Sequence, residues 1–477
     1  MVRNYLALAL AAASLAGLAG CGSSGSENFS SVNPTATSMT TPAPSTPTPT
    51  ESRQPTTTAT PTGIATETAA ATPTRLVTPT PTRSARPTPT PKPTATRTPR
   101  STATPTGTPT STATASRTAT PTATATPAPK PVAFFASDLF NNRVLQYLPP
   151  YSNGMNANTV IGQPDFTSSS QVLSQSGLAN PQGVALDDSG DLFVADTEHI
   201  RVLEFQPPFL NGMNASVVIG QPNFTTAVGA LSQSGFGFPT RVGVDLAGDL
   251  FVADTNNSRI LEFEPPFTNG MNASVVIGQP GFTSSAPATS RAGLSGPRGI
   301  AFDPAGRLFV ADNLNHRVMV FEPPFTSGMN ARVVIGQPDF TTSGVATSQN
   351  GFASTIGVAI DSGGNLFVAD VFNNRVMEFR PPFSNGMNAS VVIGQPDFTS
   401  GTPATTQDGL ASPRGVSLDQ QGNLFVADNR NSRVLEFKPP FATDMNASVV
   451  IGQPDFTSKA IATKRNGLAQ PDDTAAR

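Results

Sequence analysis

Short motifs recur through most of the chain at a fixed interval of 58 residues. The tetrad Phe-Val-Ala-Asp begins at Phe193 and returns at four later positions, and a variant, Phe-Ala-Ser-Asp, begins at Phe135. The motif Ile-Gly-Gln-Pro keeps the same interval over six copies, from Ile161 to Ile451, without insertion or deletion. A strict period of this length indicates a repeat architecture in which each unit packs against its neighbours.

Each repeat contains four β-strand patterns. In the unit that begins at Pro297, the runs GIAFD, RLFVAD, RVMVFE and RVVIGQ are separated by turn residues. The phrase NGMNASVVIGQP, at Asn385 and in close variants elsewhere, places Asn-Gly, a strong hairpin signal, between the third and fourth strands. Six such units predict an all-β fold, a six-bladed β-propeller with four strands per blade. A β-solenoid is the alternative, although its rungs are shorter.

The recurring positions resemble the NHL repeat. The pattern P-x-G-(I/V)-A-x-D, then G-x-L-F-V-A-D, then N-x-R-V-x-x-F returns in register through residues 131–477, and one unit contains Asn315, His316 and Arg317 in succession. The resemblance implies a six-bladed NHL-type propeller. It does not specify a function, because NHL propellers serve as protein-binding, RNA-binding, sensor and enzyme domains.

The two ends of residues 131–477 are predicted to share one blade. The first unit lacks its opening strand, and residues 467–471 match residues 177–181, which precede the opening strand of a later unit. The C-terminus is therefore expected to supply the missing strand. Its last residues read DTAAR where residues 183–187 read GVALD, so we expect a poor strand and a weak closure.

The N-terminus has the features of a processing segment. Residues 1–20 contain Arg3 and an apolar run from Leu6 to Leu18 that is too short to span a bilayer. The sequence LAGC, ending at Cys21, resembles the lipobox of bacterial lipoproteins. This resemblance implies a lipid anchor at Cys21 and an extracytoplasmic location in the cell envelope. Cys21 is the single cysteine, which excludes an intrachain disulfide; an ordinary signal peptide with a chance cysteine is the alternative.

Residues 21–130 are predicted to be a disordered linker that acts as a stalk. Most of them are Thr, Pro, Ala and Ser, without the apolar periodicity that a core needs. Residues 31–130 carry nine basic and two acidic residues, whereas residues 131–477 carry 19 basic and 29 acidic residues, a formal charge of −10. The negative charge of this predicted domain argues against nucleic acid as its partner.

An Asp and an Arg recur five residues apart in every unit. The first pair is Asp138 and Arg143, and the last is Asp428 and Arg433. The spacing places both residues around the turn between the second and third strands, within reach of a charge-assisted hydrogen bond. Because six catalytic dyads in one molecule are implausible, we interpret the pair as structural.

The turns between the second and third strands differ from unit to unit and are expected to share one face with the links between blades. Aromatic, apolar and amide groups predominate there, a mixture that suits a protein, peptide or glycan ligand. The sequence thus favours a monomeric, surface-anchored, non-enzymatic binding or scaffold module, with a solvent face that has no ligand as the alternative. The candidate binding residues are Phe140, Glu198, His199, Ile200, His316, Phe372 and Arg430.

The alternative function is a propeller lyase or hydrolase with a metal near the channel mouth. Some six-bladed relatives bind a metal through several histidines, but this chain has two, His199 and His316, which excludes a three-histidine zinc site. With Glu198 they are the candidate metal ligands. No cofactor is otherwise expected, although calcium on channel-facing oxygens is a further alternative. No catalytic residue is predicted, since phosphate loops, Ser-His-Asp order and CxxC pairs are missing from the sequence.

Two arginines of the predicted first strands are a separate candidate. Arg298 and Arg414 hold equivalent positions and are predicted either to line the axial channel, where they would attract an anion, or to be ordinary residues of the blade edge.

Overall fold

The computed structural model describes residues 133–477. The predicted signal peptide in residues 1–20, the predicted lipid anchor at Cys21 and the predicted linker in residues 21–130 lie outside these described residues. Within residues 133–477, no helix has the length and apolar character needed to cross a lipid bilayer.

The described chain forms a six-bladed β-propeller, as the period predicts. Each blade is a four-stranded antiparallel sheet, numbered from its inner to its outer strand. Blade 1 contains β24 (Pro471–Ala476), β1 (Phe134–Asp138), β2 (Arg143–Tyr147) and β3 (Thr159–Ile161). Blade 2 contains β4 (Pro181–Leu186), β5 (Leu192–Asp196), β6 (Arg201–Phe205) and β7 (Val217–Ile219). Blade 3 contains β8 (Pro239–Val244), β9 (Leu250–Asp254), β10 (Arg259–Phe263) and β11 (Val275–Ile277).

The other three blades repeat this plan. Blade 4 contains β12 (Pro297–Phe302), β13 (Leu308–Asp312), β14 (Arg317–Phe321) and β15 (Val333–Ile335). Blade 5 contains β16 (Thr355–Ile360), β17 (Leu366–Asp370), β18 (Arg375–Phe379) and β19 (Val391–Ile393). Blade 6 contains β20 (Pro413–Leu418), β21 (Leu424–Asp428), β22 (Arg433–Phe437) and β23 (Val449–Ile451).

The core lies between the faces of neighbouring blades. The second and third strands are buried on both faces, which explains why the second strand reads as a continuous apolar run ending in Asp rather than as an alternating pattern. The tetrad Phe of each blade meets an aromatic ring from the blade that follows, at centroid separations of 5.0–5.4 Å and in an edge-to-face arrangement. The six pairs are Phe135 with Phe209, Phe193 with Phe267, Phe251 with Phe325, Phe309 with Phe383, Phe367 with Phe441, and Phe425 with Tyr151.

The repeated Asn-Gly phrase has a second role, which the hairpin signal did not reveal. Asn211 Oδ1 accepts a hydrogen bond from the Val160 N–H of the preceding blade (3.0 Å), and the Gly212 N–H donates to the Val160 carbonyl (3.1 Å). The turn of one blade therefore satisfies the outer strand of its neighbour. Asn269 and Asn385 accept the equivalent hydrogen bond in blades 3 and 5.

The closure of the ring differs from the weak closure predicted from the sequence. β24 forms a full six-residue strand that pairs with β1, from Phe134 opposite Ala476 to Asp138 opposite Pro471. Its polar residues Asp472 and Asp473 are buried in ion pairs with an arginine of blade 3. The strand looks poor in isolation because its stabilising partner lies more than two hundred residues away.

The six inner strands surround an axial cavity of about 210 Å³. Each inner strand is hydrogen-bonded to one neighbour within its sheet, so its other edge faces the axis. Each inner strand begins at the end of the molecule where the turns between the second and third strands lie. Asn429 Nδ2, for example, donates to the Pro471 carbonyl at 3.0 Å. We call this end of the molecule the turn face.

Candidate functional site

The predicted Asp–Arg pair is present in all six blades and is buried. In blade 1, Arg143 Nε lies 2.7 Å from Asp138 Oδ2, and Arg143 Nη2 donates to the carbonyls of Lys464 and Gly467, each at 3.0 Å. The second carboxylate oxygen accepts the Ala469 N–H at 2.6 Å. The pair thus joins a turn to the link that enters the same blade, and its donors and acceptors are occupied. This arrangement supports the structural interpretation.

His199 belongs to that structural network rather than to the accessible surface. In the other five blades an Asn donates its Nδ2 to the buried Asp, as Asn141 does to Asp138 at 2.8 Å. His199 takes this place in blade 2, with Nδ1 2.9 Å from Asp196 Oδ2 and 9% of the residue exposed. The His199 ring is thus buried where it replaces a structural amide, and it adds little to the accessible surface of the turn.

The other His lies one position later in its turn, in blade 4. His316 has a left-handed backbone with φ of 51°, at the position that Asn142 and Asn374 hold in blades 1 and 5. Those asparagines hydrogen-bond the adjacent links, whereas His316 Nδ1 is buried with no hydrogen-bond partner among the described residues. Burial lowers the pKa of His316 below its usual value, so the ring is neutral at neutral pH.

Ile200 holds the same left-handed position in blade 2, with φ of 54°. It is partly buried against the core between blades 2 and 3. Its side chain therefore contributes to packing as well as to the surface of the turn.

The structure does not bring the candidate metal ligands together. Glu198 is exposed and accepts a hydrogen bond from Asn180 Nδ2 at 3.2 Å, His199 is engaged with Asp196, and His316 lies two blades away. Over residues 133–477, no group of three or more His, Cys, Asp or Glu side chains is arranged to hold a metal ion.

Each turn between second and third strands presents one exposed side chain. We call these six residues the turn ring; from blade 1 to blade 6 they are Phe140, Glu198, Asn256, Leu314, Phe372 and Arg430. Phe140, Leu314 and Phe372 are 51%, 55% and 69% exposed. The predicted binding residues Phe140, Glu198, Phe372 and Arg430 thus lie on one accessible ring, to which the structure adds Leu314 and Asn256.

The centre of the turn face contains a cluster of charged residues that the sequence revealed in part. Arg298 and Arg414 stand at the second position of their inner strands, and Asp472 holds this position in blade 1. Arg241 Nη1 lies 2.6 Å from Asp472 Oδ2, and Arg414 Nη1 lies 2.5 Å from Asp472 Oδ1. We call the five residues Arg241, Arg298, Arg414, Asp472 and Asp473 the mouth cluster.

Sequence reasoning identified two members of the mouth cluster and missed three. Arg241 was overlooked although it carries a signal, since it replaces the Gly found at residues 183, 299, 357 and 415. Those glycines are required by close approach: a Cβ on Gly183 would lie 2.6 Å from the Arg241 Cα. The other four blades have Gly at this sterically restricted position, and Arg241 and Asp473 are the two residues that replace it. Arg241 and Asp473 contact each other across blade 2 at 3.5 Å.

Comparison with known proteins agrees with this architecture. The family model described as the NHL repeat matches residues 178–205, 294–321 and 410–437, in blades 2, 4 and 6. The chain contains NHL repeats. Each match runs from the end of a link through the third strand, so it includes the turn with the buried Asp–Arg pair.

Among curated proteins, the chain is similar to the E3 ubiquitin-protein ligase TRIM71 of Rattus norvegicus and of Mus musculus. The identity to each is 30% over 122 residues, which is 25% of this chain. The aligned segment spans 14% of the length of those relatives. The similarity therefore concerns a part of a much longer protein.

Two of the solved structures to which the chain is similar differ strongly from it in sequence. A streptogramin B lyase is 11% identical, with 61% of this chain and 73% of that chain covered and a TM-score of 0.38. A nidogen/laminin complex is 14% identical, with 73% and 98% covered and a TM-score of 0.45.

Proposed function

We propose that the NHL propeller is a non-enzymatic binding or scaffold module that takes a protein, peptide or glycan ligand on its turn face. The observation that supports this proposal is the exposure of Phe140, Leu314 and Phe372 on turns whose neighbouring residues are fixed by buried hydrogen bonds. Apolar side chains on a rigid scaffold bind with little loss of conformational entropy.

The distribution of exposed apolar side chains also favours this face. Of the eleven large apolar residues that are exposed in residues 133–477, nine lie in these turns or in the links between blades. The other two, Leu210 and Leu246, lie in turns at the opposite ends of the strands. Concentration of apolar surface in one region is typical of an interaction site.

The test compares two double variants of the full chain. Phe140→Ser with Phe372→Ser removes the aromatic part of the turn ring, and Leu210→Ser with Leu246→Ser is the matched control from the other end of the strands. We expect the first variant to lose binding to ligands that the native chain selects from peptide and glycan libraries, while the control keeps it. Both should melt within about 1–2 °C of the native protein, because surface substitutions seldom change stability. Equal binding by both variants would contradict the proposal.

We also propose that the propeller is displayed at the cell envelope as a monomer, by a lipid anchor at Cys21 and a stalk formed by residues 21–130. The lipobox-like LAGC sequence and the Thr/Pro-rich composition support this arrangement. Partition of the chain into a detergent phase, lost in Cys21→Ser, is the expected result. The charge of −10 over residues 131–477 supports a ligand other than nucleic acid.

A further inference from the structure

The mouth cluster holds an unequal number of opposite charges. Three guanidinium groups from blades 3, 4 and 6 face two carboxylates from blade 1. The neighbouring arginines hold the pKa of Asp472 down, to about 2, against the opposing effect of burial, so this carboxylate is ionised at neutral pH. With both carboxylates ionised, the cluster still has one positive charge in excess, although residues 131–477 as a whole are acidic.

Arg298 is the member of the cluster that has no carboxylate of its own. Asp472 bridges Arg241 and Arg414, and Asp473 adds a contact to Arg241 at 3.5 Å. Within the described part of the chain, the hydrogen bond of the Arg298 side chain goes from Nη1 to the neutral Gln182 Oε1, at 3.1 Å. Arg414 Nε is buried and has no hydrogen-bond partner in residues 133–477.

The electrostatic surroundings of Arg298 show the same imbalance. Removal from bulk water lowers the pKa of Arg298 to about 10, and the charges of Arg414 and Arg241 act in the same direction. Asp472 offsets only part of this effect. A guanidinium group in such surroundings gains most from an additional anion, because it is flanked by like charges and lacks an acceptor with a full negative charge.

The two incomplete arginines are accessible from the turn face. Arg298 is partly exposed, the Arg414 side chain is 31% exposed, and both lie where the inner strands start. They flank blade 5, which has the buried apolar Ile356 at the equivalent position and so adds no competing carboxylate. The mouth cluster therefore lies at the centre of the surface that the turn ring surrounds.

We propose that Arg298 and Arg414 bind an oxyanion group, a carboxylate or a phosphate, at the channel mouth. Guanidinium groups suit both chemistries because their parallel N–H donors match two oxygens of such a group. The site rests on the proposed function, because the anionic group belongs to the ligand that the turn face binds. The turn ring contacts the body of that ligand, and the two arginines select its anionic group.

The test uses small anions alone as probes. The full chain is titrated calorimetrically with sodium malonate or with inorganic phosphate, at constant ionic strength set with sodium chloride. The variants are Arg298→Gln and, as a control that removes the same charge from the same face, Lys459→Gln, which changes an exposed residue of the link between β23 and β24. We expect saturable binding with one site per chain, about tenfold weaker or more in Arg298→Gln and within about twofold of native in Lys459→Gln. Binding of malonate alone assigns a carboxylate, and binding of phosphate alone assigns a phosphate.

A thermal melt separates loss of the site from loss of the fold. Because Arg298 carries an uncompensated charge, Arg298→Gln should melt at or above the native temperature in the absence of anion. If that variant does not fold, Arg298→Lys keeps the charge and should still weaken binding, since a lysine cannot form the forked contact. Absence of saturable binding by the native chain, or equal loss in Arg298→Gln and Lys459→Gln, would overturn the inference.

The failure of this inference can be told apart from failure of the proposed function. The variant with Phe140→Ser and Phe372→Ser should bind malonate or phosphate like the native chain while losing the larger ligand. If that variant keeps the larger ligand and anion binding still depends on Arg298, the anion site stands and the turn ring is not the binding surface.

Discussion

Two sets of arginines in the NHL propeller are surrounded in opposite ways. The six arginines that follow the tetrads are fully buried, and each donates to an Asp and to backbone carbonyls through Nε, Nη1 and Nη2. In the mouth cluster, Arg241 and Arg414 share Asp472, Arg241 also contacts Asp473, and Arg298 has no aspartate partner. The first set recurs in all six blades, whereas the second occurs once.

The two sets therefore differ in whether their guanidinium groups can bind a ligand. A buried guanidinium whose donors are all occupied offers nothing to a ligand, and its repetition shows that each blade needs it for the same purpose. A partly exposed guanidinium with unused donors keeps binding capacity. In a repeat protein, we therefore expect ligands to bind at residues that differ from the repeat and whose polar groups lack hydrogen-bond or ionic partners within the protein.

The largest expected effect comes from breaking one member of the repeated set. Arg375→Leu leaves Asp370 as a buried charge without its main partner and removes donors from the carbonyls of Ser348 and Gly351. Loss of one partner of a buried ion pair destabilises proteins by about 3–5 kcal/mol. We expect the free energy of unfolding, measured in urea, to fall by that amount or the chain to fail to fold.

The control for this variant is Arg332→Gln, in blade 4. Arg332 Nε lies 3.9 Å from Glu322 Oε1, and the two side chains are 66% and 52% exposed. Exposed ion pairs contribute about 0–1 kcal/mol, so this variant should unfold almost like the native protein. Similar losses in the two variants would show that burial does not distinguish the repeated set.

An intermediate effect is expected from removing a carboxylate of the mouth cluster. Asp472→Asn takes away the charge that Arg241 and Arg414 share and leaves three guanidinium groups together. Because Arg414 is partly exposed and the buried Arg241 keeps its contact with Asp473, we expect a loss of about 2 kcal/mol, less than for the fully buried pair. Malonate or phosphate should restore part of the stability, since an anion that binds the folded state stabilises it. Urea unfolding with and without the anion checks this; no greater rescue than in the native chain would contradict it.

The 58-residue period and the four strand patterns of each unit were sufficient to predict the six-bladed propeller, because each strand and turn signal recurs in register in six units. The closure was harder to predict from the sequence. Asp472 and Asp473 lower the strand propensity of β24, and their compensation by Arg241 depends on a contact across the ring. Local patterns cannot reveal such a contact until the ring is built.

The candidate site was predictable only in part, for a related reason. Variation in the turns pointed to Phe140 and Phe372, which are exposed, and to His199, which is not. The sequence shows that a position varies but not whether the new side chain replaces a structural group. His199 does so, because its Nδ1 reaches Asp196 as the Asn side chain does elsewhere. The sequence shows that Arg241 replaces a recurrent Gly, but it does not show that Arg241 lines the axial cavity.

The smallest expected effect tests whether every departure from the repeat marks a ligand site. In blade 3, Glu264 follows Glu262, where blade 2 has Gln206, which donates to Glu204 at 2.9 Å. Burial raises the pKa of Glu262 to about 7, and the carboxylates of Asp249 and Glu264 add to this. An unfolded Glu has a pKa near 4.5, so between pH 4.5 and about 7 the folded state binds more protons than the unfolded state. This carboxyl therefore lowers stability as the pH rises through that window.

Glu264→Gln removes one of the charges that oppose ionisation of Glu262 and supplies a donor like Gln206. We expect a gain of about 0.5 kcal/mol in the free energy of unfolding at pH 8 and a smaller gain at pH 5. The matched control is Glu322→Gln, the same change at the equivalent position of blade 4, where Val320 stands in place of Glu262. Equal gains in both variants, at both pH values, would assign the effect to net charge. A gain confined to Glu264→Gln at high pH would show that Glu264 only repels the Glu262 carboxylate and marks no ligand site. The mouth cluster differs, because its arginines without a full set of partners are accessible from the turn face.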